Sequence, residues 1–349
     1  METKRIDFVD LAKGFCILLV VIYHLNLFRP YMDIASCFRM PLYFILSGLF
    51  FKDYGGFKYF MVKKTNKLAI PWLFFFVLNI IFFPFLLCGL FPTLYEKPVV
   101  GTNYFFCFYF EKSNNMPSAI WFLLCLFILN FIFYVIFMIS KRFATFYNEG
   151  NPSKNFISAL ILLSISLGGV GYYLGVSHIN LYMHLDSALT VVPFFCFGYM
   201  LRKYTNLLYP NRYDKYNFLF IIISFVMIYM LGHFKISYRN NVYHVPLLSL
   251  YFTGMAGSLA ILFIAKYIKK MPIVSYIGRY SIIVLCTHEQ IIYLMKSFFD
   301  VTKTDLSMFV RCIIIFITII VLEVTIIIPF MIKFMPHVTA QKDIIILKQ

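Results

Sequence analysis

Charge is what this sequence has least of. Of its 349 residues only 13% are Asp, Glu, Lys or Arg, while 61% are hydrophobic. Soluble domains carry about 25% charged residues, so a water-soluble globular protein is excluded before any motif is considered. Acidic residues are the scarcer kind, 15 against 31 Lys and Arg, for a formal net charge of +16. The cations stand at the ends of apolar runs and never form a stripe on a polar domain. Nucleic acid is therefore not an expected partner, and membrane orientation explains the excess better. The eight cysteines (16, 37, 88, 107, 125, 196, 286 and 312) include no C-x-x-C pair. Most lie within apolar runs as buried thiols, with a bridge among 37, 88 and 107 left open. No repeat or low-complexity linker divides the chain. No A-x-A-like site ends the first apolar run, which reads as a retained span.

What the chain has in abundance is apolar length. Phe occurs 43 times and Tyr 26 times, as suits rings packed in lipid or held at headgroup level. Apolar runs fall at 8–28, 37–52, 70–91, 119–140, 156–175, 185–201, 217–234, 247–268, 276–299 and 309–335. The expected fold is all-α, a polytopic transmembrane bundle of about ten spans with both termini cytoplasmic. One domain covers 1–335, and 336–349 form a short polar tail. Alternate loops carry Lys and Arg in a ratio of 20 to 8, which supports that topology. Arg29 and Arg39 count among the outer eight.

Ionisable groups inside apolar runs cost about 2.5–3.5 kcal/mol each on insertion scales, and so are functional candidates. On the first span Lys13 and His24 are eleven residues apart, roughly 16 Å along one helix face. Asp10 lies one turn before Lys13 and can pair with it. The ninth span carries His288 at nearly the depth of His24. Glu289 follows it, on a neighbouring helix position that points elsewhere. The H-E pair lacks the second His of a zinc motif, so no metal is expected. Glu323 is a third intramembrane ionisable group. Two histidines and this acid suggest a polar chamber; packing histidines and a protonated carboxyl joining helices are the alternatives. Lys64 and Lys67 sit one turn apart before the third span, either as an ordinary basic loop or as a phosphate clamp. The glycines between Gly168 and Gly175 imitate a dinucleotide loop but lie inside a span, where close helix packing is expected.

These residues, taken in order, resemble the membrane-bound acyltransferase 3 family, including its fucose O-acetylase-like members. The family opens with an acid, an Arg, ten residues and a His; here these are Asp10, Lys13 and His24, with Lys for Arg. M-P-L-Y-F-I-L-S-G resembles its aromatic-Ser-Gly second span, carried by Ser47 and Gly48. Lys64 and Lys67 occupy its Arg-x-x-Arg place before Pro71. Segments around Trp121, Gly198, Ser281 and His288 fall where its weaker motifs do, so the resemblance covers essentially the whole chain.

The resemblance implies an integral O-acyltransferase of the cell (inner or plasma) membrane. Acetyl-CoA or another acyl-CoA would be the donor, and a hydroxyl of a polysaccharide or lipid-linked sugar the acceptor. His24 would be the base or an acyl carrier, with Lys13 and Asp10 as further catalytic residues lower on the same helix. Lys13, Lys64 and Lys67 would hold the CoA phosphates, and His288, Glu323 and Ser47 would contact substrate. Midplane histidines also suit a proton-coupled transporter or exporter. A non-catalytic partner in glycan assembly is a further reading.

Overall fold

The computed structural model describes residues 6–95, 119–146, 152–209, 216–231 and 236–347. The described residues form an all-α bundle with one two-stranded hairpin. In chain order the helices are α1 (Asp7–His24), α2 (Arg29–Arg39), α3 (Pro41–Leu49), α4 (Phe57–Lys64), α5 (Ile70–Val77), α6 (Phe83–Leu90), α7 (Trp121–Phe146) and α8 (Pro152–Val176). After them come α9 (Leu185–Tyr204), α10 (Asn217–Leu231), α11 (Leu247–Ile268), α12 (Pro272–Arg279), α13 (Ser281–Val301), α14 (Met308–Leu322) and α15 (Ile328–Phe334).

Among the described residues six helices are long and apolar enough to cross a membrane: Trp121–Phe146, Ser153–Val176, Tyr182–Tyr204, Leu247–Ile268, Ser281–Val301 and Met308–Phe334. They answer to six of the ten expected runs. The other four depart from a plain span for identifiable reasons. Helix α1 is long enough but carries Asp7, Asp10 and Lys13. The second run divides at Met40, because Pro41 has no N–H to give the preceding turn, and it becomes α2 and α3. The third run, 70–91, belongs to a longer helix that begins at 57 outside the run and is interrupted by π turns at Thr65–Ala69 and Leu78–Phe82. The described part of the seventh, α10, has 15 residues.

The π turns share a cause. Pro71, Pro84 and Pro329 each follow a π turn by two residues, the third being Glu323–Ile327. A proline inside a helix removes one ladder bond and crowds the carbonyl four residues back; widening the turn relieves both. Lys67, Asn79 and Glu323 lie in these widened turns.

Helix α1 is the axis of the bundle, contacting α2, α11, α12 and α13. Its approach to α12 rests on two glycines. A Cβ on Gly278 would collide with the Asp10 carbonyl oxygen, and one on Gly14 with the Val274 carbonyl oxygen. Gly48 and Gly198 bring α3 and α9 together in the same way. The glycines at 168, 171 and 175 lie in or at the end of packed α8 surface, against Pro193, Thr190 and Asn241, as expected of packing glycines.

The hairpin β1 (Ile236–Ser237) and β2 (Val242–Tyr243) pairs Ile236 with Tyr243 and Ser237 with Val242. Nothing in the apolar pattern foretold it. Its turn is held by the bundle. Asn241 Nδ2 donates to the Gly171 carbonyl at 3.0 Å, Thr190 donates to Asn241 Oδ1 at 2.9 Å, and the Tyr238 hydroxyl donates to the Cys37 carbonyl at 3.2 Å. Cys37 and Cys88 are thiols not bridged to each other. Cys107 lies outside the described residues.

The tail is a strap rather than a loose end. Asn66, 1% exposed, accepts from the backbone N–H groups of Ile344 and Ile345, each at 2.9 Å, and donates to the Ile345 carbonyl at 2.8 Å. Lys63 pairs with Asp343 at 2.5 Å.

Candidate active site

The centre of the site is a pair of side chains from α1 and α13. His24 Nδ1 lies 3.0 Å from Glu289 Oε1. The second oxygen, Glu289 Oε2, accepts the backbone N–H of Ala119 at 3.2 Å, so the carboxylate is held at both ends. An ionised carboxylate only accepts, so the imidazole proton belongs on Nδ1 and Nε2 is left as the basic nitrogen. His288 packs its ring against that of His24, centroids 5.2 Å apart. Its own Nδ1 donates to the Val284 carbonyl at 2.8 Å, and it is fully buried.

Glu289 was missed in the sequence. Successive residues on an isolated helix point about 100° apart, which set Glu289 aside in favour of His288. In the bundle both reach the end of α1, because the His24 side chain meets α13 across the interval between them. Ligand atoms of His24, His288 and Glu289 all lie within 4.8 Å of one another, with His24 and Glu289 hydrogen-bonded together.

Two cavities flank this centre. The first, about 240 Å³, is lined by His24, Tyr23, Arg39, Trp121 and the hairpin residues Ile236 to Asn240. The second, about 430 Å³, is lined by Lys13, Lys64, Lys67, Ser47, Tyr43 and Ser281, with apolar walls from Ile17, Leu46 and Phe122. The three lysines and Ser47 singled out in the sequence therefore share one chamber. His24 does not; it faces the other. Met40 and Leu285 line both cavities and stand where the two adjoin. Both side chains are buried, at 9% and 6% exposure.

The lysine chamber is built by local features already described. Asp10 lies 3.8 Å from Lys13 Nζ, the expected pair one turn apart. The Tyr43 hydroxyl donates to the Lys13 carbonyl at 2.8 Å, tying α3 to α1. Lys67 donates to the Ala340 carbonyl at 2.6 Å and lies 3.4 Å from Asp343, so the strap closes one side of the mouth. Lys64 lies beyond the end of the third apolar run, 5.6 Å over the Phe60 ring, and burial pushes its ammonium down to about 8. The hydrogen bond from Lys63, reinforced by the Lys67 charge, holds the Asp343 carboxyl below the usual carboxylate range.

Glu323 has a different place. It is 1% exposed, accepts the Thr287 hydroxyl at 2.5 Å, and lines neither cavity. It joins the π turn before α15 to α13. The acid at the histidines is Glu289. Gln290, the next residue, donates to the buried Asn79 side chain and fixes α13 against the second π turn.

Two further residues were not singled out as site candidates. Arg39 had been assigned to an outer loop; it is only 8% exposed and its guanidinium carbon lies 3.7 Å from the Tyr23 ring centre. Arg239 is carried into the same cavity by the hairpin turn. A basic residue at the edge of an apolar run gives no sign of which way it faces.

Comparison with known proteins agrees with the order of these motifs. The family model described as an acyltransferase domain matches residues 6–328, which include α1, both cavities and the His24–Glu289 pair. No curated protein and no solved structure matches the chain. With nearly its whole length accounted for by that one domain, the chain belongs to the acyltransferase 3 family and is a multi-pass membrane acyltransferase.

Proposed function

We propose that this protein transfers an acetyl or other acyl group from acyl-CoA to a hydroxyl of a cell-surface or lipid-linked carbohydrate. The observation that carries the reading is the His24–Glu289 pair on the wall of one cavity, backed across Met40 and Leu285 by a second cavity with three lysines.

The lysine chamber is the donor side. Lysines act as point charges for phosphate, and the apolar walls suit the pantetheine arm and its thioester. The basic end faces the cytoplasm by the positive-inside rule, where acyl-CoA is made. The lysine mouth lies near the start of α1 and His24 at its end, so the long thiol arm reaches inward along that helix. Ten membrane crossings with both termini cytoplasmic remain the topology proposed, in the inner or plasma membrane.

The His24 cavity is the acceptor side. A sugar hydroxyl is a weak nucleophile and needs a base as it attacks the thioester carbonyl. Nε2 of His24 takes that proton, and Glu289 holds the ring in the required tautomer and stabilises the imidazolium that forms. Collapse of the tetrahedral intermediate expels the CoA thiolate, which receives the proton, and the ester leaves with the acceptor. Trp121 and Tyr23 offer flat apolar surfaces for a sugar ring. Ser47 lines the donor chamber and is proposed to meet the thioester end. His288 packs on His24 and relays or orients, and Glu323 is reassigned to holding α13.

The test is to incubate the purified protein with radiolabelled acetyl-CoA and cellular glycan, with EDTA present, comparing wild type with His24→Ala. Label in glycan from wild type and a loss of roughly 10²–10⁴-fold in the variant are expected. Undiminished transfer by His24→Ala removes the assignment. Two cavities toward opposite ends of α1 that adjoin at Met40 and Leu285 would also suit a transporter; such a protein would move glycan without consuming acetyl-CoA.

A further inference from the structure

We infer that the acceptor carries an anionic group, a carboxylate or phosphate, and that Arg39 and Arg239 hold it in the His24 cavity. This rests on the reading of that cavity as the acceptor side, and it adds the chemical class of the acceptor.

Arg39 sits on α2, more than nine-tenths buried, and it lines this cavity. Its guanidinium face is stacked on Tyr23 at 3.7 Å, which fixes the plane and leaves the N–H groups at its edge to find partners. Nη1 is buried and makes no hydrogen bond among the described residues. A buried, charged donor left in this state is costly, and a native fold tolerates it where a ligand completes it. Arg239 approaches from a separate element, the hairpin turn, held in place by Asn241, Tyr238 and contacts to its own carbonyl from Ser187 and His184.

The charge balance points the same way. The lining of this cavity contains two guanidiniums and no Asp or Glu among the described residues. Behind it, Glu289 is hydrogen-bonded to His24 and to the Ala119 N–H and also attracts Arg239, and Asp33 attracts Arg39, so the unmatched donor is Arg39 Nη1. A neutral sugar is recognised by mixed donors and acceptors. Two forked donors that accept nothing instead match the planar oxygens of a carboxylate or the oxygens of a phosphate. Anchoring that group at the arginines would present a neighbouring hydroxyl to His24.

Two sources share this chemistry: the carboxylate of an acidic sugar and the phosphate of a lipid-linked one. The test uses the full chain in nanodiscs with three probes: a glucuronic acid-containing oligosaccharide, the same oligosaccharide with its carboxyls reduced, and a polyprenyl-phosphate-linked glucose. Binding is measured directly, and transfer of label from acetyl-CoA in parallel. We expect at least one anionic probe to bind ten-fold or more tightly than the neutral one. Which of them binds identifies the source. Arg39→Gln and Arg239→Gln should each remove most of that preference, while Arg39→Lys, with the charge kept and the fork lost, should retain part of it.

Equal binding of all three probes overturns the inference. So does an Arg39→Gln or Arg239→Gln variant that weakens neutral and anionic probes alike, or that raises KM for acetyl-CoA instead of the acceptor's Kd, since the anion would then be the donor's. An anionic probe that binds through the arginines without accepting label upholds the anion site and sinks the acyl-transfer reading. Label carried equally to the neutral sugar does the reverse.

Discussion

The Glu289 carboxylate does two things for His24: it fixes which nitrogen is basic, and it stabilises the ring once protonated. Glu289→Gln keeps the size and one hydrogen bond but supplies an amide that can donate to Nδ1, favouring the wrong tautomer. We expect kcat to fall roughly 10²-fold or more with KM for acyl-CoA unchanged, because the donor chamber is not touched. Steady-state kinetics with varied acetyl-CoA checks this. Lys64 gives a prediction in pH. Burial holds its ammonium at about 8, below the ordinary lysine value, so it carries charge below that pH and loses it above. If it binds phosphate, KM for acyl-CoA should rise as pH passes upward through about 8, and Lys64→Arg should flatten the rise because a guanidinium stays charged. The fold itself is affected in the opposite sense, since the burden of burying this charge is present below about 8 and lifts as the pH climbs toward the ordinary lysine range.

Elements rather than single residues decide where these groups stand. Helix α1 carries Lys13 toward one chamber and His24 toward the other, and Gly14 and Gly278 let α12 lie against it where any side chain would collide. The second apolar run divides at Met40, before Pro41, and Met40 is buried where it lines both cavities with Leu285. On the proposed mechanism these two side chains stand where the acyl group would lie to meet the acceptor hydroxyl, and their bulk would limit the chain that fits. Met40→Ala and Leu285→Ala should therefore raise the ratio of butyryl to acetyl transfer, by about ten-fold if two methylenes' worth of space is opened. Competition between butyryl-CoA and acetyl-CoA gives that ratio; an unchanged ratio with normal kcat would place the acyl group elsewhere. The three π turns show the same logic of local sequence setting position. Each is forced by a proline two residues later, and each carries a polar residue that contacts a distant element.

At the scale of the whole molecule, the sequence was most informative where a single helix carries the information. Membrane class, the Asp10–Lys13 pair and the one-turn spacing of Lys64 and Lys67 follow from runs of apolar residues or from spacing along a helix, while the grouping of Lys13 with that pair came from the family resemblance. What spacing could not show are contacts between helices far apart in sequence: Glu289 against His24, Arg39 turned inward onto Tyr23, and the hairpin that delivers Arg239. Glu323 shares the depth of the histidines, but depth alone does not say which neighbour a side chain meets, and it meets Thr287. The tail is another long-range contact. Asp343 holds Lys63 and approaches Lys67, the latter a proposed phosphate ligand. Asp343→Asn should free the strap and lower KM for acyl-CoA a few-fold, with faster hydrogen exchange over 336–347. In the wild type this pairing should persist above the usual aspartate range and fail only as pH falls through the lower value held by Lys63.

The claim that donor and acceptor enter from opposite ends and meet at His24 can be measured in proteoliposomes of known orientation. Labelled acetyl-CoA is supplied on the side of the lysine chamber and the acceptor glycan on the side of the hairpin. The account predicts that label reaches glycan in this arrangement, fails to do so when the two are exchanged, and is lost with His24→Ala. Transfer only when both are on one side, or passage of unlabelled glycan across the membrane, would contradict it.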